Sequence, residues 1–245
     1  MSKKIVGRNP VIEALRSGAR QIEKIWIVQD NEHKRLHEII NVAKQKGVPY
    51  QRCPRYQLDR MHPNHQGVIA YISEFQYTDL SFLLGKIQNK KDIPATLIML
   101  DQIHDPRNFG AILRTANATN TDGVLIPKNN SVEITATVHK AAAGSTEYTP
   151  ITKVTNLAQT IEKLKSVGIW VVGTAEDAEM QYTSADFTVP TCIVLGNEGE
   201  GIRRLVKQKC DYLVHLPMLG QISSLNVSVT AGVLLYEVLR QRAAK

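Results

Sequence analysis

The sequence predicts an α/β protein in two parts: a small α/β unit over residues 1–75 and a larger domain over 95–245 built on a mostly parallel sheet, with 76–94 as the linker. From Ala95 onward, short and nearly continuous apolar runs alternate with helical stretches, the pattern of strands buried on both faces of a sheet with helices on either side. Residues 76–94 are more polar and weakly periodic, with Gly85, Asn89-Lys90-Lys91-Asp92 and Pro94, which suits an inter-domain connection.

In the first part, Asn9-Pro10 ahead of Val11, Ile12, Ala14 and Leu15 starts a short helix that Gly18 closes. Lys24–Val28 reads as a strand, 32–46 as an amphipathic helix ended by Gly47 and Pro49, and 66–72 as a second strand. A short helix is expected over 79–88 of the linker. The runs at 96–100, 123–126, 169–172, 192–195 and 213–216 are the expected sheet strands, and a long helix closes the chain.

The chain has 245 residues, 43% hydrophobic and 22% charged, which excludes disordered and fibrous classes. Its 30 Lys+Arg against 23 Asp+Glu give a net charge of +7, favouring a polyanionic partner. That excess is local: residues 1–75 hold 13 basic against 7 acidic side chains, whereas 101–245 hold 14 of each. Two Trp, eight Tyr and four Phe are too few for a broad base-stacking platform. Three widely spaced cysteines support neither a disulfide framework nor a zinc knuckle, and no metal is expected. No apolar run approaches the roughly 18 residues of a membrane span, so a cytoplasmic protein with no membrane partner is expected.

In open α/β sheets, ligands gather at the carboxyl ends of the strands. Three corners stand out there. In His104-Asp-Pro-Arg-Asn-Phe-Gly-Ala-Ile-Leu-Arg114 a strand ends, Asn108 and Gly110 sit in the turn and Arg114 follows on a helix. Alone it is equally a strand-to-helix turn capped by Asn108. Leu195-Gly-Asn-Glu-Gly-Glu-Gly201 has neither dinucleotide nor P-loop spacing, and Glu198 and Glu200 would repel phosphate. It suits a ligand with hydroxyls or positive charge, although a glycine-rich turn before a helix would look similar. In Leu216-Pro-Met-Leu-Gly-Gln-Ile-Ser-Ser-Leu-Asn226, Ser223 or Ser224 caps the C-terminal helix and Ser224 and Asn226 face the sheet's ligand edge.

As an ordered triple, Asn108-x-Gly110-x3-Arg114, Leu195–Gly201 and Leu216-Pro-Met…Ser224-Leu-Asn226 resemble the three motifs of the SpoU/TrmH branch of the SPOUT RNA methyltransferases. Ile5–Leu15 and His65–Ala70 resemble the small substrate-binding domain of its ribosomal RNA members, so the likeness covers nearly the whole chain. The resemblance implies a catalytic domain with a deep trefoil knot near its C-terminus, around Thr174, Gly196–Gly201 and Leu216–Asn226. It also implies a homodimer and methyl transfer from S-adenosylmethionine to a ribose 2′-hydroxyl, that of a guanosine in large-subunit ribosomal RNA or its precursor particle. Alternatives are ribose methylation of transfer RNA and a non-catalytic RNA-binding or assembly protein on this fold.

By the same resemblance, Arg114 lies beside the reacting hydroxyl, reached across the dimer. As an arginine stays protonated near neutrality, it is either an unusual base in a desolvated site or an electrostatic stabiliser while another group takes the proton. Asn108, Glu198, Ser224 and Asn226 orient Arg114, the nucleotide and the methionine end of the cofactor, with Glu198 as partner to the guanidinium. Thr174, Gly196, Gly201, Ile202, Leu216, Met218 and Leu225 hold the cofactor, and Arg8, Arg107 and Arg114 contact RNA. His215 and Cys192 read as strand residues rather than catalysts. Removal of residues 1–75 is expected to leave a folded, cofactor-binding dimer.

Overall fold

The computed structural model describes residues 3–29, 33–90, 93–197 and 199–244. They form two compact units: 1–76 together with 133–148, and 77–132 together with 149–245.

The first unit runs β1 (Lys3–Val6), α1 (Arg8–Ser17), β2 (Ile22–Val28), α2 (Lys34–Gln45), β3 (Tyr50–Cys53), α3 (Arg55–Met61) and β4 (Val68–Ile72). Its sheet order is β1-β4-β2-β3, with β4 antiparallel to β1 and β2 and β3 parallel to β2. Helix α1 starts after Gly7 at φ 103°, so the Asn9-Pro10 start read from the sequence falls inside its first turn, and it stops at Gly18 in the left-handed region, as the sequence suggests. Strands β1 and β3 and helix α3 go beyond the sequence-based expectation. The two strands have four residues each, too short for hydrophobic periodicity to register.

The second unit holds α4 (Leu80–Gln88), β5 (Thr96–Leu100), α5 (Pro106–Ala118) and β6 (Gly123–Pro127). The chain then passes through α6 (Ala136–Ala141), which belongs to the first unit, and continues with β7 (Ile151–Val154), α7 (Leu157–Ser166), β8 (Trp170–Thr174) and β9 (Met180–Gln181). It ends with β10 (Thr191–Leu195), α8 (Arg204–Lys209), β11 (Tyr212–His215) and α9 (Val227–Ala243). The strand order is β7-β6-β5-β10-β8-β11-β9, and every pairing among the described residues is parallel. The five expected strands are all present, joined by β7 and β9.

Two segments lie elsewhere than the sequence suggests. The stretch expected as a linker carries α4, capped by Asp79, whose carboxylate accepts from the Ser81 and Phe82 backbone at 2.8 and 3.2 Å. Its Leu83 and Ile87 are buried in the same core as Leu97, Val171 and Cys192, so α4 is part of the second unit because it covers apolar sheet. Residues 133–148, expected in the catalytic domain, pack on the first unit through buried Val138 and His139 and through an Arg20–Glu147 ion pair whose side chains are 4% and 1% exposed. Gly144 has φ +102°, and a Cβ there would lie 2.6 Å from Glu13, so only glycine permits this approach.

Candidate functional site

All strands of the parallel sheet send their carboxyl ends to one edge, and the loops leaving β8, β10 and β11 meet there around a cleft of about 720 Å³. That volume suits a small-molecule ligand. Thr174, Gly196, Gly201, Ile202, Leu216, Met218 and Leu225 all line it, as does Ser224.

The loop after β10 closes on itself through Asn197 N–H to Gly201 O (3.0 Å) and Gly201 N–H to Asn197 O (2.8 Å). A Cβ on Gly196 would stand 2.0 Å from the Gly201 carbonyl carbon, and Gly201 adopts φ +66°, so both glycines are required by the backbone. Thr174 donates its hydroxyl to the Val194 carbonyl at 3.2 Å, tying β8 to β10 beneath the cleft. Lys207 lines the cleft and bonds the Asp177 carboxylate at 2.6 and 2.8 Å, which holds that carboxyl below its usual range.

The motif asparagines meet directly. Asn226 donates from Nδ2 to Asn108 Oδ1 at 3.1 Å, while its Oδ1 accepts from the Ser228 backbone at 2.9 Å and from the Ser228 hydroxyl at 2.6 Å. Asn226, rather than Ser223 or Ser224, therefore caps α9. Asn108 is not a cap either: Asp105 takes that place, accepting from Arg107 N at 2.7 Å with Pro106 behind it, and Asn108 lies buried within α5.

Arg114 is exposed on α5, outside the cleft lining and without an ion pair to any described residue. Arg107 is exposed on the first turn of the same helix. Arg8 is half-buried at the start of α1 in the first unit, its backbone N–H bonded to Gln66 Oε1 at 3.2 Å. Glu198 lies outside the described residues.

Sequence reasoning missed Asp101, which is fully buried at the end of β5 and accepts from Arg203 N, Nε and Nη2 at 2.9, 2.8 and 2.8 Å. The signal available was a carboxylate closing an apolar run. His215, read as a strand residue, does lie in β11, yet it also lines the cleft, and its Nδ1 is shut off from solvent without a hydrogen-bond partner among the described residues. Cys192 is fully buried, and burial pushes its thiol far above the usual range, in keeping with a core role.

Comparison with known proteins brings three results. Residues 95–236 match the SpoU rRNA Methylase family, and 4–78 match the RNA 2′-O ribose methyltransferase substrate-binding family. The chain is 44% identical over 239 residues to the TrmH family protein YacO of Bacillus subtilis, covering 97% of this chain and 95% of that one. It is 42% identical over 244 residues to the 23S rRNA (guanosine-2′-O-)-methyltransferase RlmB of Pseudomonas syringae, covering 99% and 97%. In structure it is similar to the SpoU methyltransferase AviRb of Streptomyces viridochromogenes in complex with AdoMet, with a TM-score of 0.81, 24% identity, and 99% and 91% of the two chains covered.

Proposed function

Because the chain belongs to the SpoU rRNA methylase family, we propose that it methylates a ribose 2′-hydroxyl, that of a guanosine in 23S ribosomal RNA, with S-adenosylmethionine as donor. The observation that carries this reading is the cleft where three loops meet at the sheet's carboxyl edge. Its residues suit the cofactor: Gly196 opens the backbone to close approach, Ile202 and Leu216 supply apolar wall, and the buried Nδ1 of His215 awaits a polar partner. The bound cofactor supplies an electrophilic methyl group.

The protein's part is to hold the ribose oxygen in line with that methyl and to ease loss of the hydroxyl proton. Arg114 serves as the electrostatic group beside the hydroxyl, and the Asn108–Asn226 pair keeps α5 and α9 in register around it. Since Arg114 lies outside its own chain's cleft, it reaches the cleft of a second copy. A homodimer is further supported by apolar surface on and before α9, where Leu219 is 99% and Ile222 67% exposed, with Val229 and Tyr236 beyond them. The same family reading extends the proposal to a deep trefoil knot around Thr174, Gly196–Gly201 and Leu216–Asn226.

The basic first unit grips the RNA, by its family match and by the 13 basic against 7 acidic residues of 1–75. Among the described residues no helix is long and apolar enough to cross a membrane, and the proposed substrate puts the protein in the cytoplasm. Arg114→Ala tests the assignment. S-adenosylmethionine affinity by calorimetry stays within twofold of wild type while methyl transfer to 23S RNA falls about a hundredfold or more. Wild-type turnover would remove Arg114 from the reaction.

A further inference from the structure

The geometry points to Asp101 as a positioning residue that sets cofactor affinity by latching the glycine loop at both ends. The carboxylate is fully buried, and every hydrogen bond it accepts from a described residue comes from Arg203: the backbone N–H at 2.9 Å to one oxygen, Nε and Nη2 at 2.8 Å to the other. A buried charge needs such a charge-assisted partner. Arg203 directly follows Gly201 and Ile202, which line the cleft.

The loop's other end is fixed to the same turn. Asp101 donates its backbone N–H to the Leu195 carbonyl at 2.8 Å, and Asn197 Nδ2 donates to the Gln102 carbonyl at 3.1 Å. Gln102 adopts φ 60°, a left-handed conformation that turns this carbonyl toward the loop at a cost the latch must offset. Asn197 on one side of the loop and Arg203 on the other are therefore both attached to Asp101-Gln102, Gln102 standing four residues before α5 begins. Without the Asp101–Arg203 ion pair the loop keeps its Leu195 end on β5 through the β10–β5 ladder, but its Arg203 end is released and the cleft loses its preformed wall.

This inference rests on the cleft being the cofactor site. Its test uses the full chain, with Asp101→Asn, Arg203→Gln, Arg203→Lys and the double variant Asp101→Asn/Arg203→Gln. S-adenosylmethionine Kd is measured by calorimetry and RNA Kd by filter binding, with circular dichroism to establish that each variant is folded. Asp101→Asn and Arg203→Gln each raise the cofactor Kd about tenfold or more and leave RNA Kd within twofold. The double variant is no worse than the weaker-binding single variant, because both act through one latch. Arg203→Lys, which keeps the charge but loses the fork, falls between wild type and Arg203→Gln. Unchanged cofactor Kd in folded Asp101→Asn, multiplied effects in the double variant, or a loss confined to RNA Kd would each overturn the latch. Leu225→Glu separates the two claims: this half-exposed side chain lines the cleft, and if the variant binds S-adenosylmethionine normally, the cleft reading itself fails.

Discussion

Asn226 makes two kinds of contact with one amide, since Oδ1 caps α9 and Nδ2 reaches Asn108. The two can be separated by substitution. Asn226→Ala loses both and costs about 1 kcal/mol of stability, read in a urea midpoint. Asn226→Asp keeps an oxygen for the cap but puts a carboxylate against Asn108 Oδ1, so stability recovers at neutral pH while methyl transfer stays at least tenfold reduced. His139 is a second residue whose surroundings decide its chemistry. It is buried with Nδ1 2.9 Å from Thr146 Oγ1 and Nε2 3.5 Å from the Arg20 guanidinium. As arginine can only donate, Nε2 accepts and Nδ1 carries the proton, which makes the ring neutral. Burial first, then the charges of Arg20 and Lys3, lower its pKa from 6.5 to about 3. The unfolded chain thus binds a proton in that window that the folded chain refuses, and stability falls as pH drops below 6.5, by at most about 1.4 kcal/mol per pH unit. Urea midpoints between pH 6.5 and 5 should show this slope in the wild type and a flatter one in His139→Gln.

At the scale of elements, loops and helix ends carry the organisation of the second unit. Arg240 and Arg242 lie in the last turn of α9, where positive charge suits the helix dipole. Both stand there, and each has a further partner: Arg240 pairs with Glu237, and Arg242 donates to the carbonyls of Pro94, Ala95, Phe187 and Val189 and to Thr96 Oγ1. One guanidinium thereby gathers the entries to β5 and β10. Arg242→Ala removes donors from several backbone acceptors and costs about 3 kcal/mol, measured as a lowered urea midpoint. The glycine loop makes the opposite demand. Gly196→Ala places a methyl 2.0 Å from the Gly201 carbonyl carbon, so the loop must open and S-adenosylmethionine binding by calorimetry should fall at least tenfold.

For the whole molecule, the consequence is that the first unit is not a simple N-terminal module. Ile134, Val138 and His139 come from between β6 and β7 and are buried there, held by Arg20–Glu147 and by Tyr148, whose hydroxyl donates to Glu13 at 2.8 Å. Removing residues 1–75 strands this segment with its apolar face and Glu147 unpaired, contrary to the expectation of a clean catalytic fragment. Residues 76–245 should bind a hydrophobic dye and self-associate in ultracentrifugation. The same fragment with 133–148 replaced by a short Gly/Ser linker should do neither and should retain S-adenosylmethionine binding. A soluble, dye-silent first fragment would show that the segment does not depend on the first unit.

The parallel sheet was legible in the amino-acid sequence, because runs such as Thr96–Leu100 and Cys192–Leu195 are too apolar to be anything but buried, and so were the loops after β10 and β11, two of the three that wall the cleft; the corner carrying Asn108 and Arg114 lies outside its lining. The sequence also located the positive charge in residues 1–75. Four-residue strands such as β1 and β3 escaped it, since so few residues hold no readable period. Packing in three dimensions was needed to place 133–148, to choose the amide that caps α9, and to bring Asp101 and Arg203 together across about a hundred positions of chain. Those depend on a fully buried carboxylate finding its cation, and on a glycine allowing backbone against backbone, choices made by burial and close approach rather than by neighbours in sequence.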